Sequence, residues 1–140
     1  MKTLFTAVLG CLLLAPPVSA AYSQTFTGTN DNGQTWKRPE GAGPTLRDEP
    51  VTYAAQEFFL PSAARCRVLS TQDFDGYIHL YSGSFHPDFP LNNLLGGDDD
   101  DGVSSDPLTL GTSRLPDPTN STGQHSLELP AGVYIVVTSG

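Results

Sequence analysis

The sequence is poor in basic residues and in long apolar runs, and each shortage excludes a class of protein. The 7 Lys and Arg residues stand against 15 Asp and Glu residues, so the formal net charge is -8. Such an acidic excess argues against nucleic acid and anionic lipid as partners, because both bind basic surfaces. The single long apolar run, residues 4–15, is shorter than the roughly 20 residues that cross a bilayer. We therefore expect no membrane span.

Residues 1–20 instead have the features of a secretory signal peptide. Lys2 provides a basic start, the apolar run follows, and Val18, Ser19 and Ala20 precede the expected cleavage site. We predict that residues 21–140 form a single exported domain, which is secreted, periplasmic or held at the cell surface. Cys11 would leave with the signal peptide, and Cys66 would then be the only cysteine, so an internal disulfide is excluded.

Helical patterns are also scarce after the signal peptide. The chain has 14 Gly and 12 Pro, and its apolar residues come in short runs bounded by turn residues, which favours an all-β sandwich or barrel. Ala64, Cys66 and Val68 alternate with Arg65 and Arg67, as expected of a strand with one buried face and one solvated face.

Further strands are predicted from similar short runs, and two turns join them. The additional strands are expected at 22–27, 51–60, 77–81, 109–114, 126–129 and 133–138. Residues 73–76 are expected to connect a hairpin before the 77–81 strand, and residues 130–132 to close the last hairpin. A change of buried face near Phe58 predicts a bulge, and residues 92–95 are expected to form one helical turn.

Five segments together resemble a known family. They are "WKRP" (36–39), "FDGYIHLYSGSF" (74–85), "PLNNLLGGDDD" (90–100), "TSRL" (112–115) and "LPAGVYIVVTSG" (129–140). In this order they are similar to the bacterial pre-peptidase C-terminal domain. The resemblance implies a small, non-catalytic, jelly-roll-like antiparallel β-sandwich that is an accessory to secreted enzymes or surface proteins. Some relatives bind calcium or extracellular polymers such as collagen.

The family generally continues beyond the segment that ends this sequence, with a further loop and a closing strand. We therefore expect either a C-terminally truncated fragment or a sandwich that lacks its last strand. An apolar strand at 133–138 without a neighbour would be a template for another strand. A surface or assembly protein that accepts a partner protein's strand at this open edge is thus the alternative function.

An acidic run supplies the candidate metal site. The predicted calcium ligands are Asp98, Asp99, Asp100, Asp101 and Asp75, with Asp106 as a further candidate. Calcium takes about six to eight oxygen ligands, which carboxylates and loop carbonyls can provide. Adjacent side chains diverge in an extended backbone, so we expect about two of the four consecutive aspartates to coordinate. The alternative is a solvated acidic turn.

Three rings share one face of the 77–81 strand and are the candidate ligand-binding residues. Tyr77, His79 and Tyr81 would bind an extracellular polymer, either protein or polysaccharide, if they were exposed. The alternative is that this face is a second core layer or lies beneath residues 85–95. Trp36 is expected to cover one end of the core.

The sequence contains no common hydrolase signature. Neither G-x-S-x-G nor H-E-x-x-H occurs, and His79, His86 and His125 are isolated from one another. We therefore predict no enzymatic activity, with a small secreted hydrolase as the third function.

Overall fold

A computed structural model describes residues 4–13, 21–41, 43–99, 112–116 and 126–140. The strands in these ranges are β1 (Leu4–Leu13), β2 (Ala21–Thr29), β3 (Thr35–Trp36), β4 (Val51–Leu60), β5 (Ala64–Gln72), β6 (Tyr77–Ser82), β7 (Leu94–Asp98), β8 (Thr112–Leu115), β9 (Leu127–Leu129) and β10 (Gly132–Ser139). The same ranges contain no helix that is long and apolar enough to cross a membrane.

The strands form two antiparallel sheets. The first sheet has the order β2-β1-β5-β8, with β9 also paired to β5, and the second has the order β3-β4-β10-β6-β7. An all-β sandwich is therefore confirmed. Most of the strands lie where the sequence predicts them, because short alternating runs between turn residues locate strands well.

The main core lies between the two sheets. On β5, Ala64, Cys66 and Val68 are buried while Arg65 and Arg67 are exposed, as the alternation predicts. Opposite them, the second sheet contributes Leu60, Ile78, Leu80 and Val136 to the same apolar cluster. Such alternation is typical of a strand with one face on the core and the other in water.

The second sheet is buried on both faces where residues 36–41 and 83–93 cover it, which explains the change of buried face along β4. Beyond that cover, Ala55, Glu57 and Phe59 on the outer face of β4 are exposed. Phe58 and Leu60 point into the main core, whereas Tyr53 belongs to a separate cluster on the outer face. Pairing of β4 with β10 continues without a shift from Leu60 to Tyr53, so the bulge predicted near Phe58 is wrong. A register shift occurs instead where Leu80 and Tyr81 meet β7.

Both predicted hairpins are wrong, because the turns cross from one sheet to the other. Residues 73–76 connect β5 in the first sheet to β6 in the second, and residues 130–131 connect β9 to β10 in the same way. Strand β9 pairs with β5 and β10 pairs with β4 and β6. Side-chain alternation determines which face of a strand is buried, but it does not determine the neighbouring strand.

The open edge expected beside residues 133–138 is also wrong. Strand β10 is hydrogen-bonded to β4 along one side and to β6 along the other. A partner strand cannot add there, because the backbone groups of β10 are already used within the sheet.

The segment assigned to the signal peptide contains a strand in this structure. Strand β1 lies between β2 and β5, and Cys11 forms a disulfide with Cys66. The prediction that the protein has no internal disulfide is therefore wrong for a chain that retains residue 11. That prediction assumed that Cys11 is removed with the signal peptide. Cleavage after Ala20 stays a prediction, and residues 14–20 lie outside the described ranges.

The long segment after β6 is partly a strand. Residues Leu94–Asp98 form β7 at the edge of the second sheet, so the helical turn predicted at 92–95 is wrong. Asn93 has a φ of 62° immediately before the strand begins, a conformation that asparagine adopts more readily than most residues. Residues 83–93, which precede β7, lie across the outer face of the second sheet.

Candidate functional site

The three predicted ligand-binding rings are buried. Tyr77 is 7% exposed, and His79 and Tyr81 are fully covered. The expected row of exposed rings is therefore wrong, and these side chains instead form a second core layer. The cause is that residues 36–41 and 83–93 cover the outer face of the second sheet at β6.

Six rings on this outer face form what we call the aromatic layer. Its members are Trp36, Tyr53, Tyr77, His79, Tyr81 and Phe85. The ring centroid of Trp36 lies 5.2 Å from those of both His79 and Phe85, with the ring planes nearly perpendicular in each pair. Such edge-to-face contacts are favourable beyond the area that they bury. Trp36 thus covers the outer face of the second sheet, and not an end of the main core.

The loop of residues 83–93 is fixed to the aromatic layer by polar and apolar contacts. The Tyr81 hydroxyl donates a hydrogen bond to the Pro90 carbonyl at 2.6 Å, and Phe85 packs against Tyr53 and Tyr81. The loop is therefore a covering element of the fold, as its apolar residues indicate.

At one end of the aromatic layer, an arginine lies over the Tyr77 ring, which in turn stacks on His79. The Arg38 Cζ atom lies 3.9 Å from the centroid of the Tyr77 ring, and the Tyr77 and His79 rings are stacked at 4.8 Å. The Gly41 N–H donates to the Tyr77 hydroxyl oxygen at 2.5 Å. A cation above an aromatic face is attracted by the ring's electron density, so Arg38 closes this end of the layer.

His79 is held neutral within this stack. Burial lowers the pKa of His79 from 6.5 to about 3, and the nearby Arg38 charge acts in the same direction. The hydrogen bond between Nε2 and the Pro39 carbonyl, at 3.0 Å, partly opposes the lowering. Because a carbonyl only accepts, Nε2 carries the proton, and the ring supports the fold without being able to exchange protons readily near pH 7.

The acidic run begins beside this stack. Asp98 ends β7 with its side chain buried, and its Oδ2 atom accepts the backbone N–H of Arg114 at 2.7 Å. Burial raises the pKa of the Tyr77 hydroxyl, and the charges of Asp99 and Asp98 raise it further, while Gly41 N–H and Arg38 oppose them. Through its hydrogen bond with Arg114, the predicted metal ligand Asp98 joins β7 in the second sheet to β8 in the first sheet.

Two of the loops predicted to bind calcium meet at one hydroxyl group. Ser113 Oγ is within hydrogen-bonding distance of the Asp99 carbonyl oxygen and of the Gly76 carbonyl oxygen, the latter at 2.9 Å. Asp75, which precedes Gly76, and Asp99 are both exposed. The structure thus brings together the turn that contains Asp75 and the start of the acidic run, at an exposed end of the sandwich. We call this place the Ser113 junction.

The remaining candidate ligands lie outside the described residues. These are Asp100, Asp101 and Asp106. Within the described ranges, no group of three or more His, Cys, Asp or Glu side chains is placed so that it could hold a metal ion. The described part of the Ser113 junction therefore offers backbone carbonyls and two exposed aspartates.

A shallow cleft of about 330 Å³ opens beside the aromatic layer. Its walls are Thr35, Trp36, Lys37, Leu46, Pro50, Pro87, Asp88 and Pro90. Phe89, on the adjacent loop, is 59% exposed. His86 Nδ1 lies 3.8 Å from the Asp88 carboxylate, and both side chains are largely exposed. His125, the third histidine, lies outside the described residues.

The structure adds residues that the sequence analysis does not identify. Ser113 and Arg38 matter through contacts with segments far away in the chain, and such contacts leave no local pattern. Gly97 is close to the buried ring, since a Cβ atom there would lie 2.5 Å from both the Gly41 carbonyl oxygen and His79 Cδ2. Gly97 follows Gly96 in the sequence, and these two adjacent glycines are the one local signal that another segment approaches β7 closely.

No protein family, curated protein or solved structure matches this chain. The resemblance to the pre-peptidase C-terminal domain therefore stays a prediction.

Proposed function

We propose that this chain is a non-catalytic, exported β-sandwich accessory module that binds calcium at the Ser113 junction. The observation that carries this proposal is the meeting of two loops at the Ser113 hydroxyl. It sets the Asp99 and Gly76 carbonyl oxygens next to one another, beside the exposed residues Asp75 and Asp99.

The chemistry of this end suits a hard cation. Calcium is bound by carboxylates, loop carbonyls and water in flexible geometries, and extracellular modules bind it weakly. The junction joins β6, β7 and β8 across the two sheets, so an ion held there would tie the sheets together. Calcium would accordingly act on the stability of the module and not on a reaction.

The test is thermal unfolding of the protein with and without calcium. A ligand that binds only the folded state at about 100 times its Kd stabilises that state by about 2.7 kcal/mol. We expect the melting temperature to rise by several degrees in about 10 mM calcium, because extracellular calcium modules have Kd values of about 0.1 to 1 mM. Magnesium, which requires a stricter octahedral geometry, should give a smaller rise.

The variants separate ligands from structural carboxylates. Asp99→Asn and Asp75→Asn should reduce the calcium-dependent rise while leaving the melting temperature without calcium nearly unchanged, since both residues are exposed. Asp98 is unsuitable as a test because its carboxylate holds the Arg114 N–H. Asp31→Asn, at an exposed aspartate in another loop, is the matched control. Equal melting temperatures with and without calcium would leave the solvated acidic turn as the better account.

We also propose that the module binds an extracellular polymer, although through other side chains than the three predicted rings. Tyr77, His79 and Tyr81 are buried in the aromatic layer, and the side chains available to a polymer are those of the cleft and Phe89. The exposed ring of Phe89 beside a preformed cleft provides contact area at low entropic cost. A small secreted hydrolase receives no comparable support from the described residues.

A further inference from the structure

Strand β1 is a central strand of the first sheet. It forms nine residue pairs with β2 on one side and nine with β5 on the other, all antiparallel. On the far side of β5, β8 and β9 pair with it over shorter lengths. Among the described strands, β2 has no sheet neighbour other than β1.

The side chains of β1 complete the main core. Phe5, Ala7, Leu9 and Cys11 alternate along the strand, and each is at most 5% exposed. Leu9 and Cys11 pack in the same cluster as Cys66 and Val68 of β5. The outward-facing residues between them, Thr6, Val8 and Gly10, are only partly buried. A strand that occupies the place of β1 must therefore have apolar side chains at every second residue.

The same residues form the apolar run of the predicted signal peptide. A chain cleaved after Ala20 loses β1, and with it the partner of β2 and one complete side of β5. An exposed strand edge above an open apolar core is unstable in water and pairs readily with another strand. Export and completion of the first sheet are therefore in conflict unless another segment replaces β1.

We infer that removal of residues 1–20 opens a strand-accepting slot between β2 and β5, and that an extended segment of a partner protein fills it. This inference rests on the export of the proposed module, and it is independent of calcium. The partner segment lies antiparallel to β5, spans about nine residues as β1 does, and carries apolar side chains at alternate positions. Main-chain hydrogen bonds supply affinity in such strand addition, and the alternate side chains supply specificity.

The position opposite Cys66 gives a register marker for this slot. Cys11 is the direct partner of Cys66 in the pairing of β1 with β5, whereas Gly10 is opposite Arg67. Shifting a strand by one residue moves every side chain to the other face of the sheet. A cysteine in a bound segment can therefore reach Cys66 only when the segment lies in the register of β1.

The experiment uses the protein exported by a bacterial host and a peptide of residues 4–13 as the probe. Intact mass first establishes that the exported protein begins at Ala21. The peptide is supplied as a mixed disulfide with glutathione at its cysteine. The Cys66 thiolate then attacks the peptide sulfur, one disulfide forms as one breaks, and glutathione leaves as the thiol. Light scattering follows the oligomeric state before and after addition.

The control peptide carries Gly10→Cys and Cys11→Gly, so that its sulfur faces away from the core. We expect the unaltered peptide to form the Cys66 adduct at least about tenfold faster than this control. A peptide with Leu9→Asp should fail to bind, since it places a charge in the core. A peptide with Val8→Asp carries the same charge on the outer face and should still bind. Where the exported protein is poorly folded alone, the same comparison is made with the peptides added during refolding.

Three results would overturn the inference. One is an exported protein that retains residues 1–20. Another is equal adduct formation by the register control, or equal binding of the Leu9→Asp and Val8→Asp peptides. The third is a stable dimer of the exported protein that the peptide does not dissociate, which would assign the slot to a second copy of the chain. A calcium-dependent rise in melting temperature can be present in each case, so failure of the slot and failure of the proposed calcium site are distinguishable.

Discussion

At His79, the fold keeps a titratable side chain neutral at the expense of stability in acid. The ring is fully buried between Trp36 and Tyr77, and its pKa is lowered to about 3. Between pH 6.5 and pH 3 the unfolded chain therefore binds a proton at this residue that the folded chain does not bind. The free energy of unfolding consequently falls as the pH falls through this window, and is unaffected by His79 above it.

His79→Gln tests this effect, because glutamine cannot titrate and its amide can still donate to the Pro39 carbonyl. We expect the variant to reduce the slope of unfolding free energy against pH, between pH 4 and pH 6, by about 1.4 kcal/mol per pH unit. Urea unfolding at a series of pH values measures the slope. His86→Gln, at an exposed histidine, is the control. If both variants kept the slope of the parent protein, His79 would not be buried in the neutral form.

The burial of these rings was only partly predictable from individual residues. Tyr77, Ile78, His79, Leu80 and Tyr81 form an uninterrupted run without charge, and such runs are typical of strands that are buried on both faces. This run is a local signal for the second core layer, which the expectation of exposed rings did not take into account. It could not show that Arg38, far away in the chain, would stack on Tyr77.

At the scale of elements, the loop of residues 83–93 shields the outer face of the second sheet at β6 from solvent. Phe85 touches Trp36, Tyr53 and Tyr81, so it is the main apolar contact between the loop and the aromatic layer. Phe89, in the same loop, points largely into solvent. These two phenylalanines provide a matched pair.

Phe85→Ala should lower the free energy of unfolding by about 2 to 3 kcal/mol, because it removes a ring from a packed aromatic layer. Phe89→Ala should change it by less than about 0.5 kcal/mol, as is usual at exposed positions. Denaturant unfolding measures both, and the fluorescence of Trp36, the single tryptophan, should report increased solvent exposure in the Phe85 variant alone. Similar losses for both variants would mean that the loop does not cover the sheet through Phe85.

Pairing between elements was the least predictable feature. The positions of β4, β5, β6 and β10 follow from short apolar runs, yet the turns before β6 and β10 connect different sheets. Sequence patterns within a strand carry information about burial, whereas the choice of neighbour depends on how both sheets pack together. Strand β7, where a helical turn was predicted at 92–95, has a weak local signal because Gly96 and Gly97 lower strand propensity.

At the scale of the whole molecule, the second sheet is the centre of the structure. Its inner face packs on the first sheet, its outer face carries the aromatic layer, and β7 leads into the acidic run at the Ser113 junction. The first sheet, in contrast, depends on β1, the strand that export would remove. Stability is therefore expected to be unequal, with the second sheet the more persistent of the two.

Amide hydrogen exchange, followed by mass spectrometry of peptide fragments, tests this central claim most directly. We expect the slowest exchange in the protein to occur in β6 and β10, which are paired on both sides and covered on both faces. Exchange in 77–82 and 132–139 that is as fast as in residues 83–93 would contradict it.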